Sequence, residues 1–276
     1  MINKKYKDRL FCLLFGNEEY KDNILSLYNA LCNTSYTNTD DIQIYTIEDV
    51  IYIKMKNDVS ILLDSFLYLW EQQSTFNPNM PIRGLLYFGK MYDKYITENH
   101  LNIYGKTLIK LPTPKYTVLY NGMDEQPAFM QLRLSNSFIN PDSSGDFEWT
   151  ANMINLNDGK NDDLLDKCQP LKEYMILINE IRTNSVSMGF EDAVDTAVTY
   201  CIEHNILKRF LLKHRAEVLD VCITEYNEKS FVDGIREEGQ NLLATVVLRL
   251  RNGETPEQIL ASGVDAKTIE LAETIK

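Results

Sequence analysis

Apolar residues occur in short runs separated by polar turns in much of the first 160 residues, and at helical spacing in most of the remainder. Two strands are predicted at about 57–63 and 66–73, joined by a tight turn at Asp64-Ser65. Residues 42–54 are predicted to be extended. Further strands are predicted at 115–120, ending at the turn Asn121-Gly122, near 129–134 and near 147–156.

Helices are predicted where apolar residues recur every three or four positions. These segments are 4–16, 18–32, 81–97, 169–183, 190–204, 206–226 and 228–252. The end of the chain predicts two short helices. Thr255 or Glu254 would cap the first, with Pro256 in its first turn and Gly263 at its end, and Asp265 would cap the second.

The order of these elements is helices, three strands, a helix and a strand, followed by helices alone. That order predicts an α/β or α+β core with one mixed sheet. At 276 residues the chain can hold one large domain, or one domain with a smaller appendage. We therefore predict a core over 1–160 and a helical C-terminal region over 161–276, a candidate oligomerisation element.

Composition and charge narrow the function classes. The formal net charge of −12 argues against a protein that coats nucleic acid non-specifically. No apolar run reaches the roughly 18 residues that span a bilayer, and the N-terminal run LFCLLF is too short for a signal peptide. We expect a cytoplasmic protein with no membrane partner.

The cysteines and histidines do not predict a metal centre. The five cysteines are an odd number without C-x-x-C spacing, so buried free thiols are the simpler interpretation. The three histidines are scattered and share no ligand spacing, which argues against zinc.

Acidic residues at the ends of the two paired strands suggest a different chemistry. Asp58 opens the first strand and Glu71 lies near the end of the second. Two carboxylates on neighbouring strands can hold Mg²⁺, and Gln73, two residues past Glu71 and on the same face, can orient a water. The backbone carbonyl of Gln72 would complete the metal shell. The simpler alternative is that Asp58 belongs to an ordinary turn, since acidic residues at strand ends are common.

A resemblance favours the catalytic interpretation. The segment 57–96, NDVSILLDSFLYLWEQQSTFNPNMPIRGLLYFGKMYDKYI, is similar to the bacterial recombination-promoting nuclease (Rpn) and PD-(D/E)XK nuclease transposase family. So are DRLFCLLFG, LIKLPTPKYTVLYNG, FEWTANMINLN and AEVLDVCITEYNEKSFVDGIREEG. The resemblance implies a restriction-endonuclease-like mixed-sheet core flanked by helices, with a helical C-terminal region. Asp58, Glu71 and Gln73 match the family's D…E-x-Q signature, in which Gln is usual in this branch.

Other residues are weaker candidates. Asp8 matches an acidic position in the family's first helix, although it also suits a charge at a helix start beside Arg9. Arg83 could meet a phosphate or a carboxylate, and a structural arginine is an equal alternative. A rim for the DNA backbone could come from Lys54, Lys56, Lys90, Lys94 and Lys115, for which a solvated surface is the simpler interpretation.

The resemblance implies an Mg²⁺-dependent DNA endonuclease, with Mn²⁺ as a substitute, linked to recombination, mobile elements or phage defence. Apolar positions in the C-terminal helices, such as Leu242 and Val246, favour a homodimer or a higher homo-oligomer. An inhibitory protein partner is a further expectation. The alternatives are a non-catalytic DNA-binding or regulatory protein, and an inactive homologue that acts as an assembly partner.

Overall fold

The fold is known from a computed structural model. The structure describes residues 5–45, 58–142, 144–262, 264 and 266–275. For Lys5, Asp58, Glu257, Ala261, Ala266, Lys267, Ile275 and residues 223–241 it describes the backbone alone. Most of the extended segment expected at 42–54 lies outside the described residues.

The centre of the fold is a six-stranded mixed sheet with the strand order β1-β2-β3-β4-β6-β5. Its strands are β1 Gln43–Ile44, β2 Asp58–Leu63, β3 Phe66–Gln73, β4 Thr113–Tyr120, β5 Phe129–Arg133 and β6 Thr150–Asn155. Strands β3, β4 and β6 are parallel to one another, whereas β1–β2, β2–β3 and β5–β6 are antiparallel pairs. The carboxyl ends of β3, β4 and β6 therefore lie at one edge of the sheet.

The predicted hairpin turn is confirmed. Asp64 and Ser65 connect β2 to β3 with φ angles of 49° and 64°. Two successive left-handed residues define a type I′ turn, whose twist matches that of the strands.

Helices cover both faces of the sheet. The described chain contains the helices α1 Lys5–Phe15, α2 Lys21–Cys32, α3 Met80–Glu98, α4 Asp162–Lys167, α5 Gln169–Asn184, α6 Phe190–Glu203, α7 Lys208–Arg251, α8 Pro256–Ala261 and α9 Ala266–Ile275, with 3₁₀ turns at Glu18–Tyr20 and Leu134–Ser137. Helix α3 packs on the face that carries Leu67, Leu69 and Tyr116. Helices α1 and α2 pack on the opposite face, where Val59 lies near Gly16 and the ring of Tyr68 meets that of Tyr28.

Helix α7 differs from the prediction of two helices broken near Asn227. The helical segment Lys208–Arg251 is kinked at His214, where φ is −112° and ψ is 17°. Among the described residues, the interruption therefore lies at His214 and not between residues 226 and 228. No proline occurs in this segment, and a polar residue such as Asn227 does not interrupt the i→i−4 hydrogen bonds of a helix. The cap of α8 is as predicted, because Thr255 and Gln258 form a capping box. Gly263 and Asp265 lie outside the described residues.

The chain divides into two compact units, Met1–Ile223 and Thr224–Lys276. This boundary differs from the one predicted at 160/161. Helix α5 belongs to the first unit because its buried face packs on α1 and α2. The second unit has a core of its own, made of Val246, Val247, Leu250, Ile259, Ile269 and Ala272. Among the described residues, no helix has the length and apolar content needed to cross a membrane.

Candidate functional site

Glu71 is a carboxylate that is only 1% exposed near the carboxyl end of β3. The position directly opposite it in the β2–β3 ladder is residue 58. Directly opposed positions of an antiparallel pair share one face of the sheet. The backbone therefore brings the two predicted acidic positions together, with position 73 on the same face by the alternation of the strand.

Three donors from three elements surround the Glu71 carboxylate. Gln73 Nε2 donates to Glu71 Oε1 at 2.8 Å, and Arg83 Nη2 forms an ion pair with the same oxygen. The Tyr116 hydroxyl, from β4, donates to Oε2 at 2.5 Å. A buried charge is tolerated only when it is paired and hydrogen-bonded, and these contacts meet that requirement.

A close approach of α3 to β4 positions two of these donors. A Cβ at Gly84 would lie 2.4 Å from the Tyr116 ring and 2.9 Å from Trp149 Nε1. Any side chain at position 84 would therefore push the first turns of α3 away from the sheet. The absence of a side chain there allows Arg83, the next residue, to reach the carboxylate on β3.

A second polar network holds the same end of the sheet from the opposite face. Gln72 Nε2 donates to Asn121 Oδ1 at 2.7 Å, and the Tyr174 hydroxyl donates to the Lys7 carbonyl at 3.0 Å. Asn121 Nδ2 lies 3.4 Å from the Tyr174 hydroxyl, which links these two contacts. Burial raises the pKa of Tyr174 well above its usual value, so its hydroxyl keeps the proton that it donates. Strand β3 is thus fixed on both faces where Glu71 lies.

The accessory residues lie in different places. Asp8 accepts a hydrogen bond from Ser74 Oγ at 3.2 Å and belongs to α1, on the face opposite that of Glu71. The structure thus places the Asp8 helix on the far side of the sheet from the proposed metal position. Arg83 was predicted to meet either a phosphate or a carboxylate. In the structure it forms an ion pair with the Glu71 carboxylate.

The predicted lysine rim does not form one cluster among the described residues. Lys90 and Lys94 lie two and three turns beyond Arg83 along α3, and Lys94 Nζ lies 4.5 Å from the centroid of the Tyr45 ring. Lys115 pairs in register with Tyr68, near the start of β4 and away from the carboxyl edge. Lys54 and Lys56 lie outside the described residues.

Tyr116 is a site residue that sequence reasoning missed. The strand that carries it was predicted, but its neighbour across the sheet depends on the parallel register of β3 and β4. The available signal was the run Tyr116, Val118 and Tyr120, which alternates along β4 and defines a buried face.

The donor chemistry at the site fits a hard divalent cation in part. Carboxylate and amide oxygens are the ligands that Mg²⁺ prefers, and Glu71 and Gln73 supply both types. The ion pair with Arg83 competes for Glu71 Oε1. In the described parts of the chain no three His, Cys, Asp or Glu side chains are grouped to hold a metal. The side chain of Asp58 is not among those described.

The cysteines of the described chain are free thiols. Cys168, Cys201 and Cys222 are buried, and burial raises the pKa of Cys201 and of Cys222 to about 12. Thiols that stay protonated at neutral pH are poor nucleophiles and poor metal ligands. Thiol chemistry is therefore not expected at Cys201 or Cys222.

Comparison with known proteins gives no further assignment. No protein-family model, no curated protein and no solved structure matches the chain.

Proposed function

We propose that the chain is an Mg²⁺-dependent DNA endonuclease of the kind that its resemblance to the Rpn group implies. The observation that carries the proposal is the β2–β3 register, which sets residue 58 directly opposite the buried Glu71. Metal-dependent phosphodiester hydrolysis uses carboxylates to hold the cation. Positions 58 and 71 would supply them from two adjoining strands, and the amide of Gln73 lies two residues further along on the same face.

Each residue has a stated role in the proposed reaction. Asp58 and Glu71 would hold the cation, together with the carbonyl oxygen of Gln72. A bound Mg²⁺ supplies charge neutralisation at the scissile phosphate and lowers the pKa of a bound water. Gln73 donates to Glu71 through Nε2, which leaves its Oε1 to orient the attacking water.

Arg83 balances the charge of Glu71 in the structure described here. We propose that it moves from the carboxylate to the substrate phosphate when a cation takes its place. The guanidinium group suits that exchange because it can donate two parallel N–H bonds to a pair of oxygens of either a carboxylate or a phosphate.

The fold supports this proposal at a coarser level. The structure is α/β, with a six-stranded mixed sheet flanked by helices, which is the coarse class that the resemblance implies. A restriction-endonuclease-like fold, a DNA substrate and a homodimer remain parts of the proposal.

A non-catalytic role is the second candidate, and one observation favours it. Three donors already occupy the Glu71 carboxylate, which is also the arrangement of a purely structural ion pair. An inactive homologue that serves as an assembly partner would keep these contacts without binding a cation.

Incubation of supercoiled plasmid with purified protein and Mg²⁺ separates the two candidates. Glu71→Gln removes the charge but keeps the shape, and Glu191→Gln, on the exposed surface of α6, is the matched control. We expect nicking by the wild type and by Glu191→Gln, and none by Glu71→Gln or in EDTA. Absence of nicking by the wild type favours the non-catalytic role, and equal nicking by all three proteins identifies a contaminant.

A further inference from the structure

The two oxygens of the Glu71 carboxylate have different partners. Oε1 accepts a hydrogen bond from Gln73 Nε2 at 2.8 Å and pairs with Arg83 Nη2. Oε2 accepts a hydrogen bond from the Tyr116 hydroxyl at 2.5 Å. A carboxylate can bind a cation through one oxygen or through both, so the partners of the two oxygens decide how many ligands Glu71 can offer.

The charged partner of Oε1 can be exchanged. The Arg83 side chain is 25% exposed, so it has solvent into which it can move. A divalent cation in place of the guanidinium would keep the charge of Glu71 balanced. Each oxygen of a carboxylate has two lone pairs, so Oε1 can keep the hydrogen bond from Gln73 and still act as a ligand.

The partner of Oε2, in contrast, is held in place by its surroundings. Tyr116 is 3% exposed, and its ring meets that of Phe88 edge-on, with 6.3 Å between the centroids and 70° between the planes. The ring also lies against α3 at Gly84, where an added Cβ would come within 2.4 Å of it. Because the interior is closely packed, the hydroxyl cannot swing away from Glu71 without displacing these neighbours.

The hydrogen bond from Tyr116 therefore restricts how Glu71 can bind a cation. A hydroxyl that donates to an ionised carboxylate forms one of the stronger kinds of hydrogen bond, and the distance of 2.5 Å is short even for this kind. Binding through both oxygens would deprive the buried hydroxyl of this acceptor, and a buried donor that loses its partner is costly. Glu71 is thus left to act as a ligand through Oε1.

Mg²⁺ and Ca²⁺ differ in how they use carboxylates. Mg²⁺ requires a nearly ideal octahedral shell and keeps several of its waters, so one oxygen from each carboxylate is sufficient. Ca²⁺ takes about six to eight oxygens in a flexible shell and accepts carboxylates that bind through both oxygens. A glutamate restricted to one oxygen suits Mg²⁺ and withholds a ligand from Ca²⁺.

We propose that Tyr116 is a positioning residue that restricts Glu71 to one oxygen and thereby makes the site selective for Mg²⁺ over Ca²⁺. This inference rests on the proposed function, because it requires that Glu71 binds a divalent cation. It assigns the choice between the two cations to a residue of β4 that is not itself a ligand.

Displacement of Mn²⁺ measures this selectivity without any cleavage assay. The electron paramagnetic resonance signal of free Mn²⁺ gives the amount bound by the full chain in the absence of DNA. Titration with Mg²⁺ or Ca²⁺ then gives the dissociation constant of each competing cation, and the readout is the ratio of the Ca²⁺ constant to the Mg²⁺ constant. A loss of structure would weaken the binding of both cations together, whereas a change in selectivity alters the ratio.

Two substitutions of tyrosine by phenylalanine test the assignment. Tyr116→Phe removes the hydroxyl and keeps the ring. We expect the wild type to bind Mg²⁺ more tightly than Ca²⁺, and Tyr116→Phe to lower the ratio about tenfold, the usual effect of a hydrogen bond to a charged group. Tyr92→Phe is the matched control, because the Tyr92 hydroxyl donates at 2.8 Å to the Pro112 carbonyl, which precedes the start of β4. Its ratio should equal that of the wild type.

Failure of this inference and failure of the proposed function give different results. If the wild type binds no more Mn²⁺ than Glu71→Gln at millimolar concentration, there is no cation site at Glu71 and both are overturned. If the wild type binds Mn²⁺ at Glu71 but Tyr116→Phe keeps its ratio, or if Tyr92→Phe lowers the ratio equally, the role of Tyr116 alone is overturned. Where Tyr116→Phe does not fold, as judged by circular dichroism, the wild type decides, since equal or tighter binding of Ca²⁺ than of Mg²⁺ contradicts the inference.

Discussion

Glu71 is the residue on which the site depends, and its burial defines what its neighbours must do. At 1% exposure the carboxylate has no access to bulk water, so protein donors must replace hydration. Arg83 supplies charge, whereas Gln73 and Tyr116 supply neutral hydrogen bonds. These three donors would hold the Glu71 carboxylate in place in either role, as a ligand of a cation or as part of a structural ion pair.

A double-mutant cycle between Glu71 and Arg83 measures how strongly the pair is coupled. Arg83→Gln leaves the buried carboxylate without its cation and should lower the free energy of unfolding by about 3 kcal/mol. Glu71→Gln/Arg83→Gln removes both charges and should cost less than Arg83→Gln alone. Urea unfolding at pH 7 gives the four free energies.

The control for this cycle is Arg133→Gln on the exposed surface of β5, which should change the free energy by no more than about 0.5 kcal/mol. Additive effects of the two site substitutions would show that the ion pair contributes little.

At the residue scale, the sequence predicted those site positions that lie on a single hairpin. Asp58, Glu71 and Gln73 lie on β2 and β3, whose pairing follows from a short turn. Tyr116 comes from β4, about 40 residues later, and its register with β3 has no local signal. The sequence also did not determine on which side of the sheet Asp8 lies, because tertiary contacts decide the face on which α1 packs.

The β2–β3 hairpin is the element that fixes the site, and its turn is not optimal. Ser65 has φ 64° and is exposed, in a position of a type I′ turn where glycine is preferred. Ser65→Gly should raise the free energy of unfolding by about 1 kcal/mol, because glycine adopts the left-handed region without steric cost. Thermal and urea unfolding of the purified variant provide the measurement.

Ser65→Val is the opposite control, since a β-branched residue is strained at positive φ and should lower the stability by a similar amount. Asp64 is unsuitable for this test because it accepts a hydrogen bond from the Tyr36 hydroxyl. If glycine and valine give equal stability, the backbone of the turn is not left-handed at Ser65 in solution.

At the element scale, sequence patterns predicted the strands well where a turn and a change of polarity coincide. The strand predicted at 66–73 is β3, and the helix predicted at 81–97 is α3 with one more residue at each end. Helix α4 was not predicted because six residues are too few to show helical periodicity. The sequence pattern predicted separate helices at 206–226 and 228–252, whereas the non-helical backbone within α7 lies at His214.

The whole molecule consists of two units that each have a core. Sequence reasoning placed their boundary at 160/161, where strands give way to helices. The observed boundary is 223/224, because α5 and α6 bury apolar faces in the first unit. A change of secondary structure therefore does not mark a change of unit, since packing decides which helices cover a sheet.

These separate cores predict that the two units unfold separately. Both tryptophans, Trp70 and Trp149, lie in the first unit, so tryptophan fluorescence reports on that unit alone. Far-ultraviolet circular dichroism reports on the helices of both. We expect the dichroism transition in urea to begin at lower concentration than the fluorescence transition, because the core of the second unit is small.

Two substitutions assign the phases of that transition. Ile259→Ala removes a fully buried side chain from the second core, and Leu69→Ala removes one from the sheet core of the first. Each deletion should cost about 2–5 kcal/mol in its own unit. Ile259→Ala should therefore move the early dichroism phase and leave the fluorescence midpoint unchanged, and Leu69→Ala should move the fluorescence midpoint. If both substitutions shift both signals equally, the two units unfold as one cooperative body and the boundary at 223/224 has no thermodynamic meaning.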